Sequence, residues 1–259
     1  PADYILAWRG EEHSAYDHTT INAAPPQIII GAQSLHATGW AMGAQRDGST
    51  DVAVAYYGDG ATSQGDVNEA MVFASSFRAP VVFVCSNNQW AISEPVTVQA
   101  TYPIAGRAPG FGIPSLRIDG NDALACVAAM RWALDRARRG EGPSFIEAVT
   151  YRMGPHTTSD DPTRYRDAAE VDEWAQRDPI ARLEAYLRAE GMLDDSGMDE
   201  VARAADALAA EVRAACIGAT TRAPETMFDH VYAEPHAAVE RQKAEYMDYL
   251  AGFEQEGAR

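Results

Sequence analysis

Apolar residues in this chain fall into two arrangements. Four short runs are apolar at most positions: "DVAVAYY" (51–57), "APVVFVCS" (79–86), "PSLRIDG" (114–120) and "PSFIEAVTY" (143–151). A strand buried on both faces reads as such a run rather than as strict alternation, which is the mark of a parallel sheet covered by helices. Between the runs lie the helical patterns "DVNEAMVFASSF" (66–77) and "DALACVAAMRWALDRARRG" (122–140). Ahead of the first run, "GAQSLHATGWAMGAQ" (31–45) is rich in small residues and reads as a helix packed closely on its neighbours. The alternation predicts an α/β fold built on a doubly wound parallel sheet. Residues 1–30 are mixed and give no clear element. After Arg152 the pattern changes to a polar loop reaching Asp167, followed by helical segments near 168–190, 198–217 and 235–254. The expected organisation is an α/β core in 1–167 and a helical C-terminal region, 168–259, packed on the same domain.

In open parallel sheets, ligands bind beyond the carboxyl ends of the strands. Two turns lie at such ends: Gly58-Asp59-Gly60 after the first run and Asn87-Asn88 after the second. A glycine-rich strand-to-helix turn cradles phosphate, because the backbone can approach closely and helix-start N–H groups face the anion. An aspartate in that turn repels phosphate unless a cation stands between them. Asp59 and Asn88 are one helical crossover apart, so their side chains can meet at one sheet edge. A carboxylate oxygen, an amide oxygen and a nearby carbonyl are hard ligands, suited to magnesium or calcium. Taken alone, Gly-Asp-Gly is also a simple turn signature. Asn87 reads as a turn or supporting residue. His156, opening "HTTSDD", reads by itself as a surface-loop histidine among Asx and Ser/Thr turns.

Composition narrows the chemistry. The net charge of −17 over 259 residues argues against nucleic acid and anionic membrane as partners. Any phosphate must therefore be held locally. Lys243 is the only lysine, so no Gly-Lys-Ser/Thr phosphate loop exists in this sequence. A dinucleotide fingerprint fails too, because Gly58-x-Gly60 is followed by Ser63 where the third glycine belongs. Cys85, Cys126 and Cys216 are odd in number and widely spread, which fits reduced thiols and a cytoplasmic setting. No apolar run reaches membrane length, and the start shows no signal-peptide pattern.

Gly-Asp-Gly followed after a crossover by Asn-Asn resembles the signature of thiamine diphosphate enzymes. The segments "YYGDGATSQGDVNEAMVFASSFRAPVVFVCSNNQWAISEP", "APGFGIPSLRIDGNDALA", "GEGPSFIEAVTYRMGPHTTSDDPTRYR" and "MFDHVYAEP" are similar to the alpha chain of the 2-oxo acid dehydrogenases. The resemblance covers most of 27–235, and "RAPGFG" and "HTTSDD" look closer to the branched-chain enzymes than to the pyruvate enzymes. It implies the thiamine diphosphate-binding fold with a helical C-terminal region, and thiamine diphosphate and Mg2+ as cofactors. Asp59, Asn88 and the Trp90 carbonyl would be the magnesium ligands. Gly58, Gly60 and Ala61 would lie along the diphosphate, with Gly60 and Ala61 offering N–H groups. Ile30, in "IIIGAQ" (28–33), would support the aminopyrimidine, and His156 would face the thiazolium and assist acyl transfer.

The implied activity is decarboxylation of a 2-oxo acid, branched-chain first and pyruvate next. The acyl group would pass to a lipoyl domain of a dihydrolipoyl acyltransferase. A beta chain would supply the glutamate that bonds the aminopyrimidine, in an α2β2 heterotetramer. Two departures accompany the resemblance. The family's further N-terminal segment, with a Tyr-Arg pair that grips the diphosphate, has no counterpart here, and Ser86 stands where a basic residue is common. They fit a fragment of a longer chain or an incomplete cofactor site, and the latter sustains a rival reading, a non-catalytic or cofactor-deficient assembly subunit of the same fold.

Overall fold

The computed structural model describes residues 18–25, 28–219 and 223–257. Helix α1 (Ala32–Arg46) leads to strand β1 (Ala53–Gly58), and α2 (Gly65–Phe77) crosses to β2 (Val81–Asn87). Two very short strands, β3 (Trp90–Ala91) and β4 (Glu94–Pro95), form a separate antiparallel pair. After a 3-10 segment at Ile104–Phe111, β5 (Ser115–Asp119) is joined by α3 (Ala123–Arg138) to β6 (Ser144–Val149). The main sheet has the order β1-β2-β6-β5, and every neighbouring pair is parallel. The α/β parallel sheet expected from the apolar runs is the one observed.

Strand β2 shows why its sequence does not alternate. Val81, Phe83 and Cys85 face one layer, packing with Ala41 of α1, Ala70, Met71 and Ala74 of α2, and Ile104 and Ala105. Val82 and Val84 face the other, against Ala129 and Ala133 of α3 and Ile146 of β6. Both faces are buried, so polar residues are excluded from both. Burying each large side chain such as Phe83 or Phe145 contributes about 1.5–3 kcal/mol. The small residues of α1 bring its buried face, with Ser34, Thr38, Ala41 and Ala44, close to the sheet.

Further helices follow at α4 (Ala168–Ala175), α5 (Pro179–Ala189), α6 (Asp195–Gly218) and α7 (Ala237–Gly257). The single helical pattern at 168–190 is divided because Pro179 has no N–H to continue a helix. Asp178 caps the new start, accepting from the N–H groups of Ile180 and Ala181 at 2.9 Å.

Cα packing resolves two compact units, Pro26–Gly197 and the combination of Pro1–Pro25 with Met198–Arg259. Helices α4 and α5 therefore fall in the same unit as the sheet. In the other unit, α7 packs on the 3-10 turn Pro224–Phe228, with Tyr246 against Phe228 and Lys243 bonded to Asp229 at 3.3 Å. Among the described residues, no helix is long and apolar enough to cross a membrane.

Candidate functional site

The carboxyl ends of β1 and β2 lie side by side, because Gly58 is in register with Ser86. Asp59 opens a 3-10 turn (Asp59–Ser63) that leads into α2. It is 1% exposed. Burial pushes its carboxyl above the usual range, opposed by hydrogen bonds from its own backbone, Gln99 and the backbone of Asn88, and by the charge of Arg152. Asp59 has no ion-pair partner among the described residues. A buried carboxylate in that condition is one that a cation would stabilise.

The turn is held from outside. Gln99 donates Nε2 to Asp59 Oδ2 at 3.2 Å and accepts from the Ser63 hydroxyl at 3.0 Å. Arg107 donates to the Thr62 carbonyl at 2.9 Å and to the Gln99 carbonyl at 2.7 Å. An open cleft of about 430 Å³ reaches Gln99 and Arg107, so the holding groups border accessible space.

On the β2 side, Asn87 is buried and Asn88 is half-buried. The Asn88 Oδ1 accepts the N–H of Trp90 at 3.1 Å, which fixes the amide beside the buried indole. Between them Gln89 takes φ 70, and Ile92 follows with φ 57. Left-handed backbone at a β-branched residue is an outlier, and this tight reversal brings Asn88 and Trp90 together next to Asp59. Asp59, Asn88 and Trp90, expected as a ligand set, are gathered in one place.

Arg152 ties this cluster to the loop carrying His156. It donates to the carbonyls of Trp90 at 3.2 Å and Ile92 at 2.7 Å, and to the Tyr165 hydroxyl at 2.8 Å. Tyr165 donates to Asp160 Oδ2 at 2.6 Å, and the same oxygen accepts the His156 N–H at 2.8 Å. The His156 N–H, with the Tyr165 hydroxyl, holds the Asp160 carboxyl below the usual range. Arg166 donates to the carbonyls of Met153, at 2.7 Å, and Arg152. His156 is exposed.

The remaining expected residues line the same sheet end. Gly58 is extended, and a Cβ there would meet open space. A Cβ on Gly60 would come within 3.0 Å of the Ala91 side chain, so glycine lets the turn close against β3. Ala61 is buried. Ile30 is 63% exposed. It precedes Gly31, whose φ of 85 starts α1, and Gln33 anchors the segment to the Tyr56 carbonyl at 2.8 Å.

Among the described residues no group of three or more His, Cys, Asp or Glu side chains is placed to hold a metal ion. The donor set here is one carboxylate, one amide and one carbonyl, a hard-oxygen set suited to a magnesium ion that keeps other oxygens from phosphate or water. The residues fit that group. The sequence alone does not point to Gln99 and Arg107, which hold the Asp59 turn, or to Glu147, which accepts from Asn87 at 2.8 Å. Arg152 alone has a local signal, at the head of the polar loop.

The family model described as "Dehydrogenase E1 component" matches residues 6–231. The chain is 48% identical over 252 residues to the 3-methyl-2-oxobutanoate dehydrogenase subunit alpha of Mycobacterium tuberculosis, covering 97% of this chain and 69% of that protein. It is 41% identical over 255 residues to the pyruvate dehydrogenase E1 component subunit alpha of Acholeplasma laidlawii, covering 96% and 73%. A match over most of the chain, with the buried Asp59 and Asn88 turns inside it, places this protein in the dehydrogenase E1 component family, as an alpha subunit of a 2-oxo acid dehydrogenase.

Proposed function

We propose that this chain, assembled with a beta subunit as α2β2, binds thiamine diphosphate through magnesium and decarboxylates a 2-oxo acid. The observation that carries the reading is the buried carboxylate of Asp59, without an ion-pair partner among the described residues, beside Asn88 and Trp90. Asp59, Asn88 and the Trp90 carbonyl would hold the magnesium. The N–H groups of Gly60 and Ala61, at the start of the turn into α2, would face the diphosphate. Gly58 leaves room alongside, and Ile30 offers an apolar surface to the aminopyrimidine. When bound, thiamine diphosphate supplies a nucleophilic thiazolium carbon and an electron sink for loss of carbon dioxide.

His156 is positioned by its backbone bond to Asp160, and the residue is exposed. That suits a histidine that serves transfer of the acyl group to a lipoyl domain. The higher identity to the 3-methyl-2-oxobutanoate enzyme supports a branched-chain 2-oxo acid as the preferred substrate, with pyruvate next. The carboxylate needed at the aminopyrimidine is assigned to the beta subunit.

The test is to purify the chain alone and with its beta subunit, titrate thiamine diphosphate with and without magnesium, and assay both acids with an artificial oxidant. Activity is expected only in the assembly, with the larger kcat/KM for 3-methyl-2-oxobutanoate. Full activity of the isolated chain would overturn the shared site. An assembly that binds no cofactor would favour a cofactor-deficient assembly subunit.

A further inference from the structure

Glu147 lies in β6 and is 1% exposed, an expensive place for a carboxylate unless its oxygens are satisfied. Both are. Oε1 accepts from Asn87 Nδ2 at 2.8 Å, and Oε2 accepts the Ala105 N–H at 2.8 Å. Arg117, half exposed, brings its Nε to 3.5 Å from Oε1. Two of these groups belong to segments that border the candidate site. Asn87 ends β2, and Ala105 lies two residues before Arg107, which holds the Asp59 turn.

The bond to Glu147 decides how the Asn87 amide points. A carboxylate only accepts, so the Asn87 NH2 must face it and the amide oxygen must face away. That oxygen accepts the N–H of Gln89 at 3.0 Å. Gln89 is the residue with φ 70, and its side chain also donates to the Thr150 carbonyl at 3.0 Å. Left-handed backbone is uncommon at a non-glycine residue and persists where surrounding bonds over-determine it. The reversal at Gln89 is what sets Asn88 Oδ1 on the Trp90 N–H and turns the Trp90 carbonyl toward Arg152.

We infer that Glu147 is a positioning residue for the cation half-site, acting through the Asn87 amide and the left-handed Gln89 on Asn88 and the Trp90 carbonyl. This inference rests on the magnesium reading proposed above. It assigns a purpose to a buried carboxylate that the sheet itself does not need.

A swap of polarity tests it. In Glu147→Gln, an NH2 group must face a donor, either Asn87 Nδ2 or the Ala105 N–H, so one bond is lost at constant shape. In Asn87→Asp, two carboxylates face each other. In the double variant the new amide at position 147 would donate to the new carboxylate at position 87 and accept from the Ala105 N–H. That carboxylate would still accept from the Gln89 N–H, so the bonds among positions 87, 89, 105 and 147 are restored in reverse, and only the longer contact with the half-exposed Arg117 is not. The measurement is calorimetric titration of thiamine diphosphate into the full chain assembled with its beta subunit, at a series of magnesium concentrations. Wild type and Asp59→Ala serve as references. Each single variant is expected to raise the magnesium needed for half-maximal binding by about tenfold, the size typical of groups that orient metal ligands. The double variant is expected to return to within about threefold of wild type.

Wild-type magnesium dependence in the single variants, with binding lost in Asp59→Ala, would overturn the inference and leave the cofactor reading standing. So would a double variant as weak as the singles. Failure of wild type itself to bind would remove the cofactor reading and this inference with it. Asn87→Ala keeps the Glu147 bonds to Ala105 and Arg117 and decides the matter if a charge-changing variant does not fold. It should show the same magnesium shift, and an unchanged magnesium dependence in that variant would count against the proposal.

Discussion

The guanidinium of Arg152 donates to the carbonyl oxygen of Trp90 at 3.2 Å. One side chain thus joins the end of the β2 turn to the loop that carries His156, because its other nitrogen reaches the Tyr165 hydroxyl at 2.8 Å. The conformation of the loop and the position of the carbonyl are physically connected.

Tyr165→Phe cuts that connection while keeping the ring that packs on Trp90 at a centroid distance of 5.3 Å. It removes the bonds to Arg152 and to Asp160 together. The loop from His156 to Tyr165 is expected to be cleaved by protease about tenfold faster, in the regime where cleavage follows the population of the open form. Limited proteolysis read by mass spectrometry checks this, and an unchanged cleavage rate would show that the loop is held by something else.

Asp59 carries a pH signature. Burial raises its carboxyl above the ordinary value of 3.8, so the folded chain holds that proton more tightly than the unfolded chain. The group's contribution is therefore fully favourable below the ordinary value and is lost as pH rises through the raised one. In the cation-free protein an ionised Asp59 is offset only by hydrogen bonds and the charge of Arg152, with no ion pair among the described residues. Asp59→Asn is expected to leave stability at pH 7 unchanged or raise it by about 1 kcal/mol, while weakening magnesium-dependent cofactor binding by about 100-fold. Urea unfolding at pH 5 and pH 7, with calorimetric titration, measures both. A clear loss of stability at pH 7 would mean that Asp59 is needed for the fold rather than for a cation.

His156 is tested by separating two half-reactions. If its ring serves acyl transfer, His156→Ala should slow acylation of a lipoyl domain by about 100-fold and change decarboxylation with an artificial oxidant little. Equal losses in the two assays would reduce His156 to a loop residue.

Gly120 offers a test of packing. A Cβ at this position would lie 2.8 Å from the Val149 carbonyl oxygen and 3.0 Å from the carbonyl carbon of Ala148, both backbone atoms of β6. Nothing flexible can yield. Gly120→Ala is expected to destabilise the chain by about 1–3 kcal/mol. Gly58→Ala, where the added carbon would meet open space, should change stability by less than about 0.5 kcal/mol. Thermal unfolding of the two variants compares them directly, and similar Tm values would contradict the contact geometry.

The four runs around Val54, Val82, Leu116 and Ile146 were legible as strands because each is apolar at most positions, the run at Val81–Cys85 most completely since both its faces are buried. Helix α3 was legible from its own pattern over 122–140, and its start is fixed locally, where Asp122 accepts the N–H groups of Leu124 and Ala125. The turns at Asp59 and Asn88 could be picked out as hard-oxygen donors from their residue types. Their meeting at one sheet edge followed from the one-crossover spacing, and the groups that hold them there did not. One helical pattern covering 168–190 concealed the break that Pro179 imposes.

What the sequence determined alone was whatever depends on neighbours along the chain: strand runs, helix patterns, caps and the chemical character of the two turns. Tertiary structure decided which distant groups hold those turns in place. Asn87 and Glu147 are 60 residues apart, Arg107 and Thr62 are 45 apart, and Arg152 and Trp90 are 62 apart. A glutamate in an apolar strand carries no sign of its partners, because one hydrogen bond comes from a strand chosen by parallel register and the other from the 3-10 segment at Ile104–Phe111. Only the pairing of β2 with β6, which sets Glu147 opposite Cys85, brings it within reach of Asn87 two residues further along the strand.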